Sequence, residues 1–375
     1  MKALFFVYTP FQFFVAQQIV SQEKLRDSVA VVGYVGNNAH FLDIYEFMNL
    51  EKLWKKKYVM TDLPHWDGLT TRTLNDVRKA YSNYTKLKSI AKDNNIDSIF
   101  ISDHQNQSSR FAATVFSHLG YRIAFYEEGL AHYVNRAFVE DKSFRFKIKI
   151  LLRDIFYYLP IYHVNFAKWR YQVNKPLDDT FPMDCRYSII PIFKGEKEFT
   201  VTPIPVISDN VRDYINKIIK HSDDGSKVLI LTDPLEEIYS EVERFGDLYL
   251  ESIRESIEGY TDEVTVYVKF HPREKQITCE NIKKMLESMR RKYIILSENI
   301  NLPIELFLQA MNFDKIFFYC TSTFAYNGFL FPKQEFVCLL PELNEKCVRR
   351  SQKEFAVANN ILSFFNGIES LFNLK

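Results

Sequence analysis

Short apolar runs alternate along the chain with longer segments whose apolar positions recur at helical spacing. In the first half the runs are Lys2 to Thr9, Val29 to Tyr34, Lys57 to Met60, Ser98 to Asp103 and Arg122 to Gly129. Between them, Phe11 to Glu23, Phe41 to Leu53, Leu74 to Asp93 and Ser108 to Leu119 carry helical spacing. The second half repeats the scheme with runs at Lys227 to Thr232, Val264 to His271, Tyr293 to Ser297, Lys315 to Cys320 and Glu335 to Leu340. Helical patterns at Ile238 to Ile257 and Asn281 to Arg291 separate these too. Strands alternating with helices predict parallel sheets covered by helices on both faces. Two such series predict an α/β protein of two doubly wound, Rossmann-like domains. The stretch from Asp178 to Gly225, rich in Pro, Asp, Ser and Lys, lacks long periodicity. It sets the expected boundary near residue 200, giving domains 1–200 and 201–375.

At 375 residues and 47% hydrophobic, the chain can bury a sizeable core, which excludes disordered and fibrous classes. Lys and Arg total 48 against 47 Asp and Glu. That balance argues against a nucleic-acid partner, whose binding face requires basic excess. The five cysteines are scattered without a CxxC, so neither a disulfide framework nor a zinc site is expected. The N-terminus, Met1 to Tyr8, is apolar like a signal segment, but Pro10 and Gln12 interrupt it, and it reads as a first strand. No run approaches the roughly 18 apolar residues that span a bilayer. Residues 142–170 interleave Lys and Arg with Phe, Tyr and Trp. Such a composition fits peripheral membrane contact by an interfacial helix, or a core helix whose basic stems snorkel to the surface.

Absent motifs narrow the chemistry. There is no Walker loop, GxGxxG, GxSxG, HExxH or Asp-x-Asp. Ligands of open α/β sheets bind at the carboxyl ends of strands, so the residues just after each apolar run are the ones to inspect. Glu127-Glu128-Gly129 ends the fifth run. Two adjacent carboxylates finishing a strand put one on each face, and the glycine lets the chain turn. One is a candidate general base; the alternative is a helix start decorated with acids. His271-Pro272 ends a strand between Lys269 and Arg273 and is placed to face an anion. Proline suits a first helical turn, whose free amides attract phosphate. Thr321, Ser322 and Thr323 follow the strand ending at Cys320, as a phosphate cradle or as an ordinary N-cap. Glu305 is expected near a helix start, accepting hydrogen bonds from ribose hydroxyls. Thr232, Asp233 and Pro234 are expected near a nucleotide base.

Together these features describe a nucleotide site on the second domain and a carboxylate on the first. The chain resembles bacterial sialyltransferases and polysialyltransferases of the capsule and lipooligosaccharide type. Those families share a (D/E)(D/E)G motif, an HP motif and a Ser/Ser-Thr motif in that order, matched here by Glu127-Glu128-Gly129, His271-Pro272 and Ser322-Thr323. The start, Leu4 to Gln12 with Ala16 and Ile19, is similar as well, and Lys269 through Glu305 to Ser322 resembles the polysialyltransferase pattern especially closely. In the lipooligosaccharide enzymes an additional acid follows the first donor-domain strand. Leu235 stands there in this chain, beside Asp233 and Glu236, which moves the expected base to Glu127 or Glu128.

The resemblance implies a GT-B fold with two domains facing a central cleft: an N-terminal acceptor and general-base domain, and a C-terminal CMP-sugar domain. It also implies CMP-sialic acid as donor, inversion, no metal or other cofactor, and a setting in the bacterial cytoplasm or at the inner face of its membrane. Glu127 or Glu128 would deprotonate the glycan acceptor, and His271 would serve the departing phosphate. Gln12, His104 and Gln105 are candidate acceptor contacts, with His104 reading equally as a solvent-facing loop residue. A polysialic acid primer calls for a basic groove. The net charge of +1 shows no global sign of one, which favours single transfer to a galactose-terminated glycan over α-2,8 polymer extension. CMP-Kdo transfer, CDP-glycerol phosphotransfer and silent nucleotide-sugar binding are the other readings.

Overall fold

The computed structural model describes residues 1–25, 27–33, 41–50, 53–60, 74–102, 116–117, 119–127, 129, 183–191, 198–202, 208–220 and 225–372. The chain divides into two compact units, Met1–Asn210 and Val211–Lys375.

In the first unit, β1 (Ala3–Val7), β2 (Val29–Gly33), β3 (Lys56–Met60), β4 (Ser98–Ile101), β5 (Arg122–Tyr126), β6 (Cys185–Ser188) and β7 (Glu198–Thr200) form one sheet. Its order is β3-β2-β1-β4-β5-β6-β7, and every pairing is parallel. All residues of β1, β2 and β4 are buried, as continuous apolar strands in a sheet covered on both faces must be. Exposure appears at the edges, β3 and β7. Three helices accompany the first strands: α1 (Pro10–Gln22), α2 (Phe41–Met48) and α3 (Leu74–Asp93). Thr9 caps α1 by accepting the Gln12 N–H at 3.2 Å, and Pro10 occupies the first turn, where its missing N–H is not needed.

The stretch expected to be irregular holds real structure. It contributes β6 and β7, which widen the sheet, and α4 (Asp209–Lys220). β6 and β7 carry charge inside the ladder: Arg186 and Glu198 are register partners, and their side chains pair at 3.8 Å. That is why no apolar run marks them.

The second unit orders its strands β10-β9-β8-β11-β12, again all parallel. These are β8 (Lys227–Leu231), β9 (Thr265–Lys269), β10 (Tyr293–Ile295), β11 (Lys315–Phe318) and β12 (Phe336–Cys338). The helices are α5 (Phe245–Glu258), α6 (Gln276–Ser288), α7 (Ile304–Ala310), α8 (Leu340–Ser351) and α9 (Ala356–Phe372). One core joins Val228, Ile230, Val266 and Val268 of the sheet to Phe245, Tyr249 and Ile253 of α5 and Leu343 and Cys347 of α8. Each large apolar side chain so buried contributes about 1.5–3 kcal/mol. The helix expected from Ile238 starts only at Phe245, because Arg244 sits at φ +53, a left-handed conformation that breaks helical continuation. All five cysteines are free thiols.

Candidate functional site

In the second sheet the chain runs from β8 out to β10 on one side and to β11 and β12 on the other, so the topological switch lies between β8 and β11. The carboxyl ends of β8, β9 and β11 carry the candidate residues to this place. Asp233, just past β8, bridges the switch: its Oδ2 accepts the Cys320 N–H at 2.8 Å. Burial pushes its carboxyl up to about 7. Thr232 ties β8 to β9, its N–H donating to the Lys269 carbonyl at 3.2 Å and its Oγ1 accepting the His271 N–H at 3.1 Å.

His271 is half-buried, and its Nδ1 accepts the Arg273 N–H at 3.0 Å. Burial first, then the Arg273 and Lys269 charges, lower the imidazole to about 4. A neutral ring that accepts at Nδ1 carries its proton on Nε2, so this histidine presents an N–H donor. The expected helix start at Pro272 is corrected here. Residues 271–274 form a turn closed by the Glu274 N–H on the His271 carbonyl at 2.9 Å, and α6 begins only at Gln276. Proline suits the second position of a β-turn as well as a first helical turn. The Arg273 guanidinium is exposed and lies 3.5 Å from Glu237.

The Ser/Thr segment caps a five-residue 3₁₀ helix, Ser322–Tyr326, rather than an α-helix. Thr321 donates to Thr323 Oγ1 at 3.0 Å, and Thr323 donates to Glu305 Oε1 at 2.9 Å. Ser322 is partly exposed, and its hydroxyl makes no hydrogen bond among the described residues. Of the three hydroxyls, it is the one left for a ligand. Glu305 stands in the first turn of α7 as expected, yet only 5% exposed, and burial raises its carboxyl. Its electrostatic partner is Lys269, itself buried and hydrogen-bonded to Asn301 Oδ1. Desolvation lowers that ammonium to about 7 against the opposing pull of Glu305. Lys269 and Glu305 therefore brace β9, α7 and the Ser/Thr turn from inside. Asn301 and Glu274 were not singled out by sequence; only adjacency to the His-Pro turn marked Glu274.

In the first unit, Glu127 is fully buried, and its Oε2 accepts the Ile189 N–H, just past β6, at 2.6 Å. Gly129 has φ +144, a conformation open to glycine, as the expected turn requires. Gln12 is 3% exposed and its Oε1 accepts the Tyr8 N–H at 2.6 Å, bracing the turn from β1 into α1. Glu128, His104, Gln105 and residues 142–170 lie outside the described residues. Among the described residues there is no cluster of three metal-ligating side chains, and no helix is long and apolar enough to cross a membrane.

A family model described as alpha-2,8-polysialyltransferase (POLYST) matches residues 3–340. Among solved structures, UDP-GlcNAc 2-epimerase from Methanocaldococcus jannaschii is similar at 19% identity, over 95% of this chain and 94% of that chain, with a TM-score of 0.52. The same organism's enzyme in complex with UDP-GlcNAc and UDP aligns at 15% identity, over 98% and 99%, with a TM-score of 0.48. UDP-N-acetylglucosamine 2-epimerase from Rickettsia bellii aligns at 11% identity, over 99% and 96%, with a TM-score of 0.45. No curated protein matches the sequence. The first of these likenesses speaks to the fold: two Rossmann-like units of the GT-B class.

Proposed function

The chain belongs to the alpha-2,8-polysialyltransferase family, a family of glycosyltransferases, and on that premise we propose that it extends a sialylated acceptor with sialic acid from CMP-sialic acid. The observation that carries the donor half is His271, held neutral at a strand end with its N–H on Nε2. As the bond from the anomeric carbon to the CMP phosphate breaks, charge grows on the phosphate oxygen. The Nε2–H and the unengaged Ser322 hydroxyl are suited to receive it, each good donor being worth roughly 2.7–4 kcal/mol in the transition state. Thr232, Asp233 and Pro234 flank the nucleotide, while Lys269, Glu305, Thr321 and Thr323 hold the donor-side turns in place. The sugar passes through an oxocarbenium-like state, as in glycoside cleavage. The acceptor hydroxyl attacks the opposite face and gives its proton to Glu127 or Glu128, with inversion. Hydrogen-bond donors on the phosphate make a metal unnecessary in this scheme.

A second reading, one sialic acid added to a neutral galactose terminus, is favoured by the net charge of +1. Mass spectrometry of products formed in excess EDTA separates the two. We expect a ladder of sialic acid additions on a sialyllactose and none on lactose. A single addition on lactose supports the second reading, and strict metal dependence removes the metal-free scheme. Intact donor with both acceptors sinks sialyl transfer and directs the search to CMP-Kdo and CDP-glycerol.

A further inference from the structure

We infer that Asp233 is a specificity-determining residue of the donor site: its Oδ1 accepts a hydrogen bond from a neutral amino or hydroxyl group of the bound nucleotide sugar. The inference rests on the reading of this sheet edge as a CMP-sugar site. Asp233 stands just past β8, at the switch between β8 and β11, where open α/β sheets take their ligands. It is 7% exposed, and nearly all of its polar atoms are held from within. Its N–H donates to the hydroxyl of Tyr249, buried on α5, at 3.1 Å, and that hydroxyl donates back to its carbonyl at 3.3 Å. Its Oδ2 accepts the Cys320 N–H at 2.8 Å. Oδ1 is the exception. It makes no hydrogen bond among the described residues, yet it is not sealed from solvent.

A carboxylate so far out of water is expensive to keep when only one of its oxygens is satisfied. Bridging β8 to β11 needs only an acceptor for the Cys320 N–H, which an uncharged asparagine supplies equally well. The second oxygen is therefore the part of the side chain that the bridge does not explain. Its neighbours narrow what it takes. His271, tied to Thr232 through its main-chain N–H at 3.1 Å, presents an Nε2–H, and Ser322, two residues past Cys320, presents an unengaged hydroxyl. Those donors suit the phosphate. A carboxylate oxygen repels phosphate and can only accept, so its partner is a neutral donor group elsewhere on the same ligand. CMP-sialic acid offers such groups in the 4-amino group of cytosine, the ribose hydroxyls, and the hydroxyl and amide groups of the sugar. With the main chain and Oδ2 already fixed, Oδ1 gives up little freedom on binding.

The test measures CMP binding by calorimetry in wild type and Asp233→Asn. It is run at pH 8.5, above the value of about 7 to which burial pushes this carboxyl, so that Oδ1 acts only as an acceptor. The asparagine oxygen keeps the Cys320 N–H, which sets its NH2 where Oδ1 was and turns an acceptor into a donor. Affinity for CMP is expected to fall about 10–100-fold, the range for a hydrogen bond to a charged group. CMP without its 4-amino group, 2′-deoxy-CMP and 3′-deoxy-CMP then assign the partner, because the analogue that lacks it binds both proteins alike. If the partner is the base amino group, UMP, with an acceptor in that place, binds Asp233→Asn better than wild type. If the partner is on the sugar, CMP binding is unchanged and KM for CMP-sialic acid rises by the same factor. Equal affinity for CMP together with equal KM for CMP-sialic acid overturns the inference. So does a loss shared evenly by CMP and every analogue, which marks a structural role. Should Asp233→Asn not fold, wild type alone decides: an analogue must bind about 10–100-fold more weakly than CMP, or CMP more weakly than CMP-sialic acid, and equal affinities throughout overturn the inference. CMP that fails to bind wild type removes the donor-site reading itself, and the inference falls with it.

Discussion

Glu127 and Glu305 are both buried carboxylates at the carboxyl edge of a parallel sheet, yet their surroundings differ in kind. Glu127 is anchored on a main-chain donor, the Ile189 N–H, so the next strand of its own sheet holds it. Glu305 accepts from a side chain, Thr323, and faces the ammonium of Lys269, so it belongs to a relay of groups that can gain or lose protons. The same contrast holds across the two edges. On the second sheet, burial brings Asp233, Lys269 and Glu274 all to about 7 and lowers His271 to about 4. Concentrated shifts of this kind mark sites built for chemistry more often than for stability, because desolvated charges are expensive to keep. The edge of the second sheet therefore combines neutral hydrogen-bond donors with a titratable frame, whereas Glu127 has its geometry set by backbone.

The strongest way to break the contrast is to remove the neutral donor. His271→Ala is expected to cut transfer by about 10²–10⁴-fold, the usual range for a positioned proton or hydrogen-bond donor. Circular dichroism and thermal unfolding should show the fold retained, since the half-buried ring packs at the rim of the sheet. Near-normal turnover would take His271 out of the mechanism. Next in size come Glu127→Gln and Glu128→Gln, compared by kcat under saturating donor. The glutamine amide oxygen can still accept the Ile189 N–H, so Glu127→Gln removes charge and basicity while leaving that anchor. One of the two variants should lose about 10²-fold or more and the other far less. Equal mild losses would mean that neither carboxylate is the base.

The edge of the second sheet was legible in sequence to the extent that strands buried on both faces are apolar throughout. The runs ending at Thr232, His271 and Cys320 stood out; the strands end one to two residues earlier, at Leu231, Lys269 and Phe318, and the polar residues around those ends lie at one sheet edge. Their partnerships were not legible. Glu305 and Thr323 are 18 positions apart and meet only because α7 and β11 bring them together. Pro272 misled locally, since a β-turn and a helix start ask the same of a proline. In the first unit, β6 and β7 escaped notice because an ion pair, Arg186 with Glu198, sits in their ladder where an apolar pair would have signalled a strand. Helix α4 was hidden between a proline-interrupted stretch, 201–207, and the polar run His221 to Gly225, which together read as a linker. Glu127 was marked as chemistry-bearing by its motif, but its main-chain anchor depends on the unrecognised β6.

The finest probe of the contrast is stability rather than rate. Asp233 has a folded value of about 7, above the ordinary 3.8 for its type, so folding favours its neutral form. The stabilisation linked to that preference is whole below about pH 4 and is lost as pH rises through 7. Asp233→Asn stays neutral at every pH and can still accept the Cys320 N–H. Its stability relative to wild type should therefore be lowest near pH 4, rise between 4 and 7, and level off above. A gain on the order of 1 kcal/mol or more at pH 8.5 corresponds to about 2–4 °C in Tm per kcal/mol for a chain of this class. Lys269 and His271 carry the opposite linkage, lost as pH falls, but they are common to both proteins and cancel in the difference. Parallel Tm curves for the two proteins from pH 4 to 8.5 would show that Asp233 ionises normally. The carboxyl at the sheet switch would then be as settled as Glu127, and the titratable frame would shrink to Glu274, Lys269 and Glu305.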